Sequence, residues 1–576
     1  MNKTHFLLLI LLLVPLVQAI EAKQGSITLL ALIDKNGERS AGVASLELEI
    51  LPGKERVFLE TFPMTKLSTQ ASLRLAQQIT CKELEIDCSG YDFLFSINAA
   101  PGIVGGPSAG SSAAILVGAL LLNKEVPANV AMTGTINSGG AVGPVGGLDI
   151  KLEAAQKNNL TKIFLPPGAS EFEDNETNQT VNLMDVGKEV NVTVIEAATI
   201  FDILKELYGY EQNNTNGNLI INDEYTKIMR DVAYDLCDRT ADLLKETGKI
   251  NDTDLQNITV KAEENLKNGS FYSAASFCFR ANTIYKQEWY KINSFSFEEL
   301  KARAKTVEEN ANAVKTELKN RDISTMTNLQ TFMAVSERID ETLRMIELIK
   351  NVENETNERV GNTLGYVEER LFSAITWERF FENKTGNLII TEQKLQDSCI
   401  AKLSEAEERY NYVKTSIPEA LTDSLEEFER IHNQIKNKEY ITCLYGSSKE
   451  KSRAELYLNL VGVKKSRLSD LIDLRLELAR RGLMKAQSKG VFPIIAYSYY
   501  EYAKSLQGFD DITSLLFAEY ALDLANLDIY FDEKEKQIEE ISKVPAITTL
   551  TIILLLLITG FLIQMQRKKK FSKKRK

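Results

Sequence analysis

The hydrophobic and polar positions divide the chain into two long regions with different patterns. In the first third, short apolar runs rich in β-branched residues, such as 27–33 and 44–51, alternate with stretches of helical spacing. Strands that alternate with helices are typical of an α/β domain. Residues 192–195 predict its last strand and residues 200–208 its last helix, so we place this domain at 25–210.

Residues 220–540 have apolar and aromatic side chains at helical spacing among many charged residues. Helix breakers are scarce, since Pro418 and Pro493 are the only prolines between residues 215 and 543. The pattern predicts an all-α helical region, with tetratricopeptide-like hairpins as one arrangement. A polar linker at 211–219 separates it from the first domain.

The two ends of the chain carry uncharged apolar runs of different length. Residues 6–17 and the small residues after them are typical of an export signal, which we place at 1–22. Residues 544–566 form a run of 23 without a charge, followed by the basic segment 567–576. About 20 apolar residues cross a bilayer, and clustered Lys and Arg stay cytoplasmic. The pattern predicts one C-terminal transmembrane helix, hence a single-pass protein of the cell membrane with its bulk extracytoplasmic.

Charge and cysteine content narrow the partners and the compartment. The net charge is −12, and the last ten residues alone carry eight positive charges, so the rest of the chain is strongly acidic. A nucleic-acid partner is therefore disfavoured, because phosphate contact needs a basic face. Six cysteines fit an oxidising compartment. The nearest-neighbour pairings are Cys81 with Cys88, Cys237 with Cys278 and Cys399 with Cys443, but the sequence allows about 15 connectivities.

The scarcity of histidine excludes several kinds of chemistry. The chain has two histidines, His5 and His432, so a Ser-His-Asp triad or a histidine-based metal site is hard to build. His432 has no Cys or His nearby and is expected on a helix surface. There is no Cys-x-x-Cys pair and no phosphate-binding Gly-x-x-x-x-Gly-Lys-Ser/Thr loop. We therefore expect no metal, no nucleotide cofactor and no ATP hydrolysis.

Ser108 is the best candidate nucleophile. It follows a Gly/Pro-rich loop, 101–107, and lies at the start of a predicted helix of small residues. A helix N-terminus offers unpaired backbone N–H groups that stabilise an oxyanion. We expect the amides of Gly106, Ser108 and Ala109 to serve in this way.

A serine without histidine needs another base, and Lys151 is the candidate. It lies on a predicted helix with Leu148 three positions before it and Ala155 four after it, so it points along an apolar stripe. Burial lowers a lysine pKa, and the neutral amine can then accept the serine proton. Most lysines, taken singly, are solvated, and that alternative stays open on this argument alone.

The two segments together resemble the two signatures of the proteolytic domain of Lon-type Ser/Lys proteases. GPSAG, Gly106–Gly110, is similar to the nucleophile motif, and AMTGTINSGGAVGPVGGLDIKLEAA, 131–155, is similar to the second signature with its general-base lysine. The resemblance covers about residues 25–210. It implies an α/β fold of the ribosomal protein S5 domain 2-like class, catalytic Ser108 and Lys151, and a supporting Thr133 that helps to hold the lysine amine. Residues 50–61 resemble an early hairpin, and residues 162–170 resemble the strand after the base helix.

Two positions depart from the family pattern. Gly105 stands where many members carry an acidic residue, and Gly139 stands where they carry an arginine. The family's ATPase module is missing, as in membrane-anchored, archaeal-like relatives. The resemblance therefore implies an ATP-independent, membrane-anchored serine endopeptidase that cleaves flexible polypeptides, and a homo-oligomer is plausible. The alternative is a catalytically weak Lon-like module in a surface interaction or scaffold protein.

Overall fold

The computed structural model describes residues 22–35, 38–62, 67–99, 106–173, 180–211, 217–350, 356–382, 388–461 and 463–533. The strands of the first region are β1 Lys23–Lys35, β2 Glu38–Pro52, β3 Val57–Phe62, β4 Tyr91–Ala99, β5 Val130–Met132, β6 Thr135–Asn137, β7 Ala141–Gly143, β8 Lys162–Leu165, β9 Glu171–Glu173, β10 Thr180–Asn182 and β11 Thr193–Glu196. Its helices are α1 Leu67–Glu83, α2 Gly110–Leu121, α3 Leu148–Lys157, α4 Leu183–Glu189 and α5 Ile200–Tyr208.

Seven of these strands form one mixed sheet in the order β11-β8-β5-β1-β2-β4-β3. β1 and β2 are a long antiparallel pair in which Ile27 lies opposite Leu46. β5 runs parallel to β1 and to β8, and β8 runs parallel to β11. β6 and β7 form a separate small hairpin, and β9 and β10 form another. The parallel part of the sheet therefore runs from β11 to β1, and the candidate site lies at the end of β5 within it.

Helices cover both faces of the sheet, as expected when strands alternate in side-chain direction. On one face, α1, α2 and α5 pack on residues such as Leu46 and Leu48. On the other face, Leu152 and Ala155 of α3 pack with Ile163 and neighbouring residues. The nucleophile segment and the base segment therefore approach the end of β5 from opposite faces of the sheet.

The predicted early hairpin at residues 50–61 is wrong. β2 and β3 are not paired with each other, because β4 lies between them and pairs antiparallel with β2 and parallel with β3. The turn 53–55 looks local in the sequence, but a strand from 91–99 separates the two runs. The predicted strands 27–33 and 44–51 and the helix 200–208 are confirmed, and of the predicted strand 162–170 residues 162–165 form a strand.

The second region is helical, as predicted, and begins after the linker, of which residues 212–216 lie outside the described residues. Its helices are α6 Asp223–Thr247, α7 Thr253–Asn268, α8 Phe271–Asn293, α9 Phe297–Lys319, α10 Met326–Lys350, α11 Asn357–Trp377, α12 Glu392–Ser416, α13 Ser424–Lys436, α14 Tyr440–Leu460, α15 Leu468–Ser488, α16 Ile494–Leu506 and α17 Asp511–Ala525. A short pair, β12 Leu388–Ile389 and β13 Asp532–Glu533, accompanies them. Tetratricopeptide-like packing stays a prediction.

Disulfides and aromatic packing support these helices. The three nearest-neighbour pairings are the ones formed: Cys81–Cys88, Cys237–Cys278 and Cys399–Cys443. The last two tie α6 to α8 and α12 to α14. Tyr499 and Tyr502 of α16 are buried and pack against Phe517 of α17.

The prediction of a membrane span needs correction. Among the residues that the structure describes, no helix is long and apolar enough to cross a bilayer. The predicted C-terminal transmembrane helix 544–566, the basic tail 567–576 and the export signal at 1–22, apart from residue 22, lie outside the described residues. The fold class is therefore an α/β domain followed by an all-α region, and the single-pass membrane localisation is not supported.

Candidate active site

Ser108 lies in a short 3₁₀ turn, Pro107–Ala109, that leads directly into α2. Pro107 is buried and Ser108 is half-buried, so the turn is fixed to the domain while the serine stays partly accessible. Helix α2 begins with small residues and is buried along its whole length. This arrangement presents a serine hydroxyl on a rigid element, as a nucleophile requires.

Lys151 lies in the first turn of α3 with only 1% of its surface exposed. Gly147, which caps this helix, has a φ of +66°, a conformation that favours glycine. The lysine stem borders a narrow apolar hollow lined by Leu148, Leu152, Ile163, Leu165 and Val194. Burial in these surroundings lowers the pKa of Lys151 to about 7. A large fraction of the amine is therefore neutral at neutral pH.

Consecutive residues after β5 hold the two candidate catalytic elements together. The Lys151 Nζ atom donates a hydrogen bond of 2.9 Å to Thr133 Oγ1, and both side chains are buried. The next amide, that of Gly134, donates to the Ser108 carbonyl at 3.1 Å. The Thr133–Gly134 pair thus connects α3 on one face of the sheet with the serine turn on the other.

The three predicted oxyanion residues lie on the same turn. Gly106 caps the turn with extended backbone, Ser108 lies within it, and Ala109 ends it as the N-cap of α2. Within the described residues, neither the turn nor α2 has a side-chain cap at its N-terminus. An N-terminus without a cap is suited to an anionic ligand. The loop 101–105, including Gly105, lies outside the described residues.

Sequence reasoning missed contacts that come from the helical region. Arg409 and Tyr412 of α12 hydrogen-bond to residues 136, 137 and 146, all within the second signature. No motif in α12 marks these side chains, because only the tertiary fold brings them to the hairpin. His432, by contrast, is exposed on α13 beside Glu407, as predicted.

The sequence of the first region matches a known protein family. Residues 20–208 match the family model described as the Lon protease (S16) C-terminal proteolytic domain. The first third of the chain is thus similar to the Lon proteolytic domain, and the resemblance inferred from the two signatures is confirmed.

Individual relatives give the same result over shorter stretches. The chain is 30% identical over 182 residues to a Lon protease of Paraburkholderia phytofirmans, covering 31% of this chain and 21% of that protein. It is 38% identical over 106 residues to a Lon protease of Clostridium beijerinckii, covering 18% and 12%. It is 44% identical over 61 residues to Lon protease 2 of Borreliella burgdorferi, covering 11% and 8%. The chain therefore spans about a fifth or less of the length of these relatives.

Proposed function

We propose that this protein is a serine endopeptidase that hydrolyses peptide bonds with a Ser108/Lys151 dyad. The observation that carries the proposal is the state of Lys151: a buried amine, hydrogen-bonded to Thr133, with a pKa of about 7. A lysine kept largely neutral near neutral pH suits the role of general base. The match to the Lon proteolytic domain supports the same role.

In the proposed mechanism, the neutral Lys151 amine accepts the proton of the Ser108 hydroxyl as the serine oxygen attacks the scissile carbonyl. The resulting ammonium then gives that proton to the leaving amine, and the C–N bond breaks. The regenerated amine next takes a proton from water as that water attacks the ester carbonyl. The ammonium then returns the proton to the Ser108 oxygen as the ester C–O bond breaks, which frees the serine and the carboxylic acid product. Thr133 accepts a hydrogen bond from the lysine nitrogen throughout and so keeps the amine oriented.

Each tetrahedral intermediate places negative charge on the former carbonyl oxygen. The proposed donors are the backbone amides of Gly106, Ser108 and Ala109 at the uncapped start of α2. Amides fixed in a turn need no reorganisation as the charge develops, and losing one such donor costs about 100-fold in rate in related sites.

The proposed substrates are flexible or unfolded polypeptides, cleaved without ATP. Residues 20–208 match the proteolytic domain of Lon proteases, and the described part of the second region, 217–533, is helical apart from one short strand pair. Without a coupled unfolding motor, a chain must already be extended to enter a narrow site. Three disulfides in the described residues favour action in an oxidising compartment.

The first test uses the full chain, an unstructured polypeptide and no nucleotide. We expect cleavage that is lost in Ser108→Ala and in Lys151→Ala, and labelling of the parent by a fluorophosphonate probe at Ser108. The activity should rise with pH through about 7, since the amine loses its proton there. Mass spectrometry of the labelled protein identifies the modified serine.

Matched variants keep the test specific. Ser111→Ala removes a buried hydroxyl three residues from Ser108 that has no hydrogen-bond partner among the described residues. Lys157→Ala removes an exposed lysine from the same helix as Lys151. Both should cleave as the parent does. A folded parent that neither cleaves nor takes the label would refute the proposal and favour the interaction-protein alternative.

A further inference from the structure

One segment of the second signature joins the two halves of the candidate site. Residues 135–146, here called the bridging segment, follow Thr133–Gly134 and end just before Gly147, which caps the helix of Lys151. The segment contains the β6–β7 hairpin, in which Thr135 lies opposite Gly143. A shift of this segment would move the lysine helix relative to the serine turn.

The helical region holds the hairpin through Arg409 of α12. This side chain is 1% exposed and is ion-paired with Glu408 and Glu455, both in the helical region. Its Nη2 group donates to the Ile136 carbonyl at 2.9 Å and to Asn137 Oδ1 at 2.8 Å. A planar guanidinium with five donors is suited to such simultaneous contacts.

A second contact from the same helix reaches the other end of the bridging segment. The Gly146 amide donates to the Tyr412 hydroxyl at 3.0 Å, immediately before the helix of Lys151. Arg409 and Tyr412 are three residues apart and therefore lie on one face of α12. One helix thus contacts the segment near its start and at its end.

The tip of the hairpin is held by α14 and α17. Ser138 Oγ donates to Asp523 at 2.9 Å and accepts from Lys451 at 3.3 Å. Gly139 beside it has a φ of +69°, where any side chain is strained, and a Cβ atom there would contact Leu522 and Asn526 of the helical region. Both features favour glycine at position 139.

We propose that Arg409 is a positioning residue for the Ser/Lys site, and that the helical region acts through it to fix the bridging segment. The inference rests on the proposed function. It assigns the helical region a role in assembling the site, beyond spacing or substrate capture. Arg409 touches neither reacting group and works through Ile136 and Asn137.

The test compares four full-length variants with the parent. Arg409→Met removes the contacts, Arg409→Lys keeps the charge, and Asn137→Ala removes one acceptor while leaving the ion pairs of Arg409 intact. Arg370→Met is the matched control, because Arg370 is also a mostly buried arginine paired with two glutamates, Glu337 and Glu341, both of the helical region.

Two readouts separate positioning from general stability. The first is kcat and KM on a fluorogenic peptide across pH. The second is the pKa of the Lys151 amine, measured by competitive labelling with trace acetic anhydride and mass spectrometry. Arg409→Met should lower kcat by about 100-fold with little change in KM, since misplacement by about 1 Å costs this much. It should also raise the Lys151 pKa, because a loosened pocket admits water.

Graded outcomes are expected from the other variants. Arg409→Lys should recover part of the kcat, and Asn137→Ala should lose about 10-fold, the equivalent of one hydrogen bond. Arg370→Met should leave kcat and the Lys151 pKa unchanged even where it lowers the melting temperature. If Arg409→Met fails to fold, Asn137→Ala carries the comparison.

The inference is overturned if Arg409→Met and Asn137→Ala keep the kcat and the Lys151 pKa of the parent, or if Arg370→Met changes them equally. A parent without any activity would refute the proposed function instead. In that case the Lys151 pKa measured by competitive labelling still tests the inference. A changed Lys151 pKa in Arg409→Met and an unchanged one in Arg370→Met would support positioning.

Discussion

Buried lysines occur in both regions of the molecule, and their surroundings give them opposite properties. Lys151 in the α/β domain borders an apolar hollow, and burial lowers its pKa to about 7. Lys402 and Lys451 in the helical region are equally buried. There burial also acts to lower the pKa, but the carboxylates of Asp523 and Glu405 outweigh it, so the pKa of both lysines is raised.

The difference shows that the surroundings decide whether a buried lysine is largely neutral or stays charged. A buried amine without a carboxylate is left neutral and nucleophilic, at a cost in stability. A buried ammonium between carboxylates stays charged and holds helices together. The pKa of Asp523 is correspondingly held far below its ordinary value, with the two lysines opposing the effect of burial. Substitutions can remove the carboxylate from one environment, remove the lysine from the other, or add a carboxylate beside Lys151.

The largest effect is expected from Asp523→Asn. The change leaves Lys402 and Lys451 buried with a single shared carboxylate, Glu405, and replaces the charged acceptor of Ser138 with a neutral amide. Breaking a buried ion pair in this way costs about 3–5 kcal/mol in free energy of unfolding. Urea denaturation at pH 7 measures it.

Asp340→Asn is the control for this substitution, because its pair with Lys315 is partly exposed. Such pairs contribute about 1 kcal/mol or less. Equal losses in the two variants would mean that burial does not distinguish the Asp523 cluster.

Lys151→Met should change the free energy of unfolding in the opposite direction and stabilise the protein. The folded pKa of Lys151 lies below its ordinary 10.5, so between about pH 7 and 10.5 the unfolded chain binds more protons and stability rises with pH. Methionine has no such penalty, and we expect a gain of about 3 kcal/mol at pH 7 that shrinks toward pH 10. Urea denaturation at both pH values tests this.

Lys157→Met, an exposed site on the same helix, should change the free energy of unfolding by about 0.5 kcal/mol or less. A Lys151→Met variant that is less stable than the parent at pH 7, or whose gain does not depend on pH, would show that Lys151 is not held in its neutral form.

Local pattern predicted much of the first region but not its strand order. The runs 27–33 and 44–51 and the helix 200–208 follow from apolar periodicity and were found in place. The hairpin at 50–61 failed because β4 enters the sheet between β2 and β3 from farther along the chain. Pairing across such a distance leaves no periodic signal in the two runs it separates.

The candidate site shows the same limit. Ser108, Lys151 and Thr133 could be proposed because two short motifs carry them at a fixed spacing. Arg409 could not, since it lies 273 residues from Ile136 and its helix has an ordinary charged pattern. A buried arginine cannot be told from a solvated one until the fold places its partners.

Leu148→Glu would give Lys151 surroundings like those of Lys402. Leu148 is half-buried in the first turn of α3, three residues before Lys151, and borders the same hollow. A carboxylate there should raise the Lys151 pKa by about one to two units. Activity at pH 7 should fall about 10- to 100-fold and recover as the pH is raised toward 9, as a pH profile of kcat/KM would show.

Leu148→Gln separates charge from shape in this experiment. The amide has nearly the size of the carboxylate but cannot stabilise an ammonium to the same degree. The profile of Leu148→Gln should therefore stay near that of the parent. If both variants lose activity equally and neither profile moves, packing rather than charge sets the behaviour of Lys151.

The smallest effect is expected from Thr133→Val, which keeps the shape of the side chain and removes the acceptor of the Lys151 amine. One hydrogen bond of about 1–1.5 kcal/mol corresponds to about a 10-fold loss in kcat. The pKa of Lys151 should fall further, because the ammonium form has lost the oxygen that accepts its hydrogen bond. Thr133→Ser retains that oxygen and should keep most of the activity. A Thr133→Val variant as active as the parent would show that the apolar hollow alone orients the amine.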